Sequence, residues 1–224
     1  MYWFLFIAVA IVSYVVQISF QRKFQKASEM PLLSGMAGRE VAVRMLADHG
    51  IRDVKVTSTP GQLTDNFNPT NKTVNLSEPV YAESSVAAAA VAAHECGHAV
   101  QHAEGYFPVK VRSALVPVVS ITSKVVPFVL LAGMLLVNVF PQVLWLGIAL
   151  FGFSTLFSFV TLPVELDASR RALAWLSRTD IIDPSNEAEA RGALRAAAFT
   201  YVVAALSSLA TLIYYLSFFS GRKS

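Results

Sequence analysis

Three of the chain's four histidines fall within "AAHECGHAVQH", residues 92–102: His94, His98 and His102, with Glu95 directly after the first. His94 and His98 stand four residues apart, which on a helix puts both imidazoles on one face about a turn apart, close enough to bind one Zn²⁺. Glu95 lies beside the first of them and can reach a metal-bound water without holding the metal. That is the placement a general base needs: zinc lowers the pKa of its water, and the carboxylate takes the proton as the water attacks a peptide carbonyl. The same five-residue pattern also arises by chance as a polar stripe on a helix. Here the helix is alanine-rich, and buried charge without a partner is costly. A metal supplies the partner.

The neighbours divide by geometry. His102 is eight residues from His94, about 12 Å of helical rise, so the three imidazoles cannot converge on one tetrahedral ion. It is expected near the substrate or as an ordinary helix-end histidine. Cys96 points off the ligand face and reads as a small buried side chain. Gly97 removes a side chain where another element could pack closely. A peptidase site needs a third protein ligand, with the fourth position left for water. The carboxylates after the motif include Glu104, Glu165, Asp167, Asp180 and Asp183. Glu104 shares the helix end and reaches the metal poorly. Glu165 stands in "VTLPVELDASRRAL", where an apolar run ends, and an acidic residue bordering a membrane segment is expensive without a purpose. Asp167 is two residues on, about 200° around a helix, and is expected to pair with Arg170 or Arg171 instead.

The histidine helix starts after Ser84 or Ser85, either of which can cap it, and ends at Gly105. Upstream, "SGMAGREVAVRMLADHG" predicts a short amphipathic helix with Ser34 as cap and Gly50 as stop. "VKVTST", "QLTDNF" and "KTVNLS", separated by Pro60-Gly61 and "NPTN", predict a small antiparallel sheet. Its strand at Val74 to Ser77 is expected to be an edge that could add an extended peptide.

The rest of the chain is membrane-like. Of 224 residues 54% are hydrophobic and 15% charged, with mean hydropathy +0.52, against about a quarter charged in soluble domains. Tyr2 to Phe20, Val125 to Phe140, Val143 to Leu162 and Phe199 to Phe219 each approach the ~17 to 25 residues that span a bilayer. The expected fold class is an α-helical membrane protein with about four transmembrane helices and a small α+β zincin-like catalytic portion. The first run has no basic region before it and no small-residue cleavage site, so it reads as a retained anchor. Arg22, Lys23 and Lys26 after it place residue 21 onward in the cytoplasm. The division is then an anchor at 1–20, a zincin-like portion at 21–112, a membrane hairpin at 113–163, a cytoplasmic segment at 164–198, and a C-terminal helix and tail at 199–224. Arg39, Arg44, Lys110, Arg112, Arg170, Arg171, Arg178, Arg191 and Arg195 fall on the cytoplasmic side, and Arg222 and Lys223 on the other. This topology returns Glu165 to the face of the histidine helix. A single cysteine excludes an intrachain disulfide. The net charge of +3 follows from topology and gives no case for nucleic acid.

"TVNLSE", "SSVAAAAVAAHECGHAVQHAEGYFPVKVRSALVP", "FVTLPVELDASRRAL" and "AAAFTYVVAALSSL" together resemble the YugP-type family of membrane-bound neutral zinc metallopeptidases of bacteria. The resemblance runs from "SGMAGREVA" onward. It implies a gluzincin-like site in which His94, His98 and Glu165 bind zinc and Glu95 is the catalytic base. With the topology above, the expectation is an inner-membrane protein that cuts peptides or unfolded membrane proteins at the bilayer's cytoplasmic face. The family's usual "TDHYDP" reads "TDNFNP" here, Thr64 to Pro69, a departure in a loop that could meet substrate.

Two other readings compete. A site-two-type intramembrane protease places the histidine pattern in a spanning helix and takes an aspartate ligand from another. Here the upstream region is polar and sheet-like, and Asp167 lacks a following glycine turn. A non-enzymatic scaffold with a structural metal would need a closed set of four protein ligands, where three are evident. Arg170, Arg171, His102 and Tyr106 are the candidates for oxyanion stabilisation.

Overall fold

The computed structural model describes residues 2–221, which leaves Arg222 and Lys223 outside the described residues. Seven helices and three strands follow in the order α1 (Tyr2–Ser28), α2 (Gly38–Asp48), β1 (Lys55–Thr59), β2 (Asn66–Asn68), β3 (Thr73–Ser77), α3 (Glu78–Ala82), α4 (Val86–Ala103), α5 (Phe107–Leu135), α6 (Pro141–Arg178) and α7 (Pro184–Ser220).

Among the described residues, three helices are long and apolar enough to cross a membrane: α5, α6 and α7. They are longer than the apolar runs that announce them. The run from Val125 to Phe140 does not form one helix: α5 begins at Phe107, continues through Pro117 and Pro127, and ends at Leu135, while Phe140 caps α6. Proline is tolerated there because neighbouring groups in a membrane bundle can satisfy the backbone it frees. Helix α6 packs against both α5 and α7, and α7 against α1. Gly133 sets the α5–α6 approach, since a Cβ there would lie 2.5 Å from the Leu144 Cα. Between α6 and α7 the Thr155 and Ser208 hydroxyls hydrogen-bond at 2.8 Å, the kind of polar contact that joins helices in lipid. Outward, Phe4, Phe128, Leu135 and Val139 are largely exposed, an apolar surface suited to acyl chains.

The part that carries the histidines has its own core. Val41, Met45, Val74, Leu76, Val86 and Cys96 are fully buried together with the alanines of α4. The cap of α2 is Ala37, with the Glu40 side chain accepting from its backbone, not Ser34. Gly50 ends the segment at φ +70°.

The sheet corrects two expectations. It is mixed, in the order β1-β3-β2: β1 runs parallel to β3, and β2 antiparallel to it. A parallel pair needs a long connection, and the chain between β1 and β3 supplies it by making β2 on the way. The strand at Val74 to Ser77 is therefore central, with Val74 and Leu76 buried against α4, and the available edge nearest the histidines is β2.

Candidate metal centre

Ser85 caps α4 by accepting from the Ala88 amide at 3.1 Å, and Gly105 follows the helix at φ +66°. Helix α4 lies across α6, and Gly97 is where they touch. A Cβ at Gly97 would lie 2.7 Å from the Ala168 carbonyl oxygen. This close crossing brings Glu165 under the two histidines. His94, His98 and Glu165 offer donor atoms within 4.8 Å of one another, a group that could hold a metal ion. Glu165 Oε2 is 3.3 Å from His94 Nε2 and 3.5 Å from His98 Nε2. Its other oxygen, Oε1, faces Arg112 Nη1 of α5 at 3.4 Å. The two imidazole planes are nearly perpendicular, with centroids 4.8 Å apart.

The hydrogen bonds around these residues suit a cation. Gln101 is fully buried, and its amide nitrogen donates to the Val164 carbonyl at 2.8 Å and to Asp167 Oδ2 at 2.9 Å. Both partners only accept, so the amide orientation is fixed, and its oxygen must accept from His98 Nδ1, 3.1 Å away. A neutral His98 then points an Nε2 lone pair at a carboxylate oxygen. Two acceptors face each other, and a cation between them, a metal ion or a proton on Nε2, resolves the conflict. The set of two imidazole nitrogens and one carboxylate is that of an open zinc site. On the other ring, His94 Nδ1 lies 3.1 Å from the Ser169 hydroxyl, so both rings are held from behind. Burial alone would lower the His98 pKa, but its bond to Glu165 and the Glu95 charge raise it above the ordinary value.

Glu95 is buried beside the group, at the meeting of two cavities. Glu95, Glu165, Tyr201 and Asp65 line both of them. The larger, about 500 Å³, runs between β2 and α5, and the smaller, about 170 Å³, lies among α1, α4 and α7. The loop that departs from the "TDHYDP" pattern borders both. Asp65 accepts from the Ser77 amide at 2.8 Å and from its hydroxyl, while Asn66 to Asn68 are β2.

The remaining candidates are placed elsewhere. Asp167 turns away from the histidines and binds Gln101, Arg170 and Arg171. Glu104 pairs with Arg171 at 2.7 Å. Asp183 caps α7, and Asp180 sits in the turn before it at φ +52°. His102 is exposed on the wall of the larger cavity, edge-on to Phe67. Cys96 is buried against the Ala42 carbonyl, and burial pushes its thiol well above the usual pKa. Arg170 and Arg171 are tied to Asp167, and Tyr106 lies under the Arg171 guanidinium. The sequence reading did not single out Gln101, Ser169, Arg112 or Tyr201 for the site. Gln101 carried a usable signal: three residues after His98, it shares the histidine face of α4.

The family described as "Putative neutral zinc metallopeptidase" matches residues 2–220. The "Putative membrane protease YugP" of Bacillus subtilis (strain 168) is 41% identical over 220 residues, covering 98% of this chain and 97% of that protein. No solved structure matches the chain. On the extent of both matches, the chain belongs to the neutral zinc metallopeptidase family.

Proposed function

We propose that the protein is a membrane-embedded zinc endopeptidase with a gluzincin-like site, in which His94, His98 and Glu165 hold the ion and Glu95 is the general base. The observation that carries this reading is the convergence of those three donor groups, with Glu95 beside them at the junction of two cavities. Three ligands suit an open, catalytic position better than a closed structural site. Zinc, when bound, supplies a Lewis acid that polarises the peptide carbonyl and acidifies a water. Glu95 accepts the proton of the attacking water and returns it to the leaving amine. Gln101 and Ser169 hold the imidazoles in register. Arg112 holds one oxygen of Glu165, so that the other faces the histidines. In place of the arginines near Asp167, Arg112 and Tyr201 join His102 as donors that line the cleft for a developing oxyanion.

The proposed zincin-like portion consists of the mixed sheet, α2 and the histidine helix. A peptide would lie in the larger cavity beside β2, the short edge strand, where main-chain pairing can hold it extended. We take α1 as the fourth span, and the basic residues between the spans support a site on the cytoplasmic face of the inner membrane. An intramembrane protease of the site-two type fits less well: α4 is not among the three helices long and apolar enough to cross, and Asp167 is committed to its arginines.

The test is Glu95→Gln in detergent-solubilised protein, assayed on unfolded casein. Zinc content should match wild type, while cleavage falls by ~10² to 10⁴-fold, the range for a general base. Loss of zinc along with activity would make Glu95 a ligand and reject this mechanism.

A further inference from the structure

We infer that the smaller cavity is the pocket for one large apolar side chain of the substrate, next to the bond that is cut, and that Ala197 and Val91 set its size. The inference rests on the peptidase reading. Phe20 and Phe24 of α1, Ala90 and Val91 of α4, and Ala193 and Ala197 of α7 form its walls. His94, Glu95 and Glu165 form its polar end, so a side chain lodged there belongs to a residue at the reacting group.

Size and charge narrow the occupant. At about 170 Å³ the cavity is close to the ~150 Å³ apolar void that takes up benzene, room for one leucine, methionine or phenylalanine side chain. No lysine or arginine lines it, and an acidic side chain would meet Asp65, Glu95 and Glu165. A basic one would leave water for largely apolar walls, where Asp65 is engaged with Ser77, Glu165 with the histidines, and Glu95 serves the proposed proton transfer. The larger cavity differs, with Asn66, His102 and Arg112 on its walls, so the two sides of the cut bond meet unlike surfaces. Ala197 and Val91 are only partly buried, unlike Ala90 and Ala193, which places their side chains at the open space. Phenylalanine at 197 would fill the pocket, and alanine at 91 would deepen it.

The experiment maps cut sites by mass spectrometry in peptides from a denatured protein, with zinc content measured in parallel for wild type, Ala197→Phe and Val91→Ala. Wild type should favour leucine, methionine or phenylalanine about tenfold over glycine and alanine at one position flanking the cut, within the range a few methylenes give in an apolar pocket. Ala197→Phe should bring that preference to near parity, and Val91→Ala should shift it toward phenylalanine and tryptophan. If Ala197→Phe loses its zinc, Val91→Ala, which only removes atoms, decides the matter. Cutting with no preference, with a preference for basic residues, or with one unchanged in the zinc-loaded variants overturns the pocket alone. A zinc-loaded wild type that cuts nothing overturns the peptidase reading as well.

Discussion

The Gln101 side-chain oxygen accepts from His98 Nδ1 at 3.1 Å because its amide nitrogen is already spent on Val164 and Asp167. One buried amide thus fixes the tautomer of a proposed ligand and ties α4 to α6. Gln101→Leu keeps the volume but removes all three bonds. It should lower zinc affinity about 10 to 100-fold, the usual effect of losing a partner behind a ligand. Competition with a chelator of known affinity measures this; an unchanged affinity would show that His98 needs no such support.

Gly97 and Ala168 touch through backbone, so the approach of the two helices has no slack. Gly97→Ala places a Cβ 2.7 Å from the Ala168 oxygen and should cost about 1 to 3 kcal/mol through overpacking. Separating the helices also draws Glu165 away from the histidines. A lower thermal midpoint in detergent together with weaker zinc retention is the expected pair of results. A wild-type midpoint would mean that the crossing is compliant.

The topology is testable with thiols. Cys96, the single cysteine, is fully buried, and its raised pKa makes it a poor nucleophile, so native protein should resist alkylation until unfolded. In a Cys96→Ala background, single cysteines at Ser58 and Ser177 should stay unlabelled by an impermeant reagent in intact cells, and one at Gln142 should label. Labelling from outside at either of the first two would invert the orientation.

What the sequence disclosed followed from local periodicity. The four-residue histidine spacing, the Ser85 cap, the Gly105 stop and the rule separating Glu165 from Asp167 on a helix are all short-range geometry, and each is matched in the fold. Strand order is not local. Val74 and Leu76 alternate in the same way at an edge as in the centre, so the parallel β1–β3 pair was hidden. Helix ends in the membrane part were hidden too, because prolines that stop a helix in water are carried within α5. Arg112 and Tyr201 reach the site from α5 and α7, helices other than the one that carries the motif, and nothing in their immediate neighbours marks them.

The central claim is that Glu165 completes a three-residue zinc site. The direct measurement is zinc per chain after identical dialysis of wild type, Glu165→Ala and Asp167→Asn. The asparagine keeps an acceptor for Gln101, so His98 stays in place. Wild type should hold about one zinc and Asp167→Asn nearly as much. Glu165→Ala should lose almost all of it, since two imidazoles are too few for tight binding in an open site. A Glu165→Ala protein that keeps its zinc while Asp167→Asn is stripped would contradict the claim.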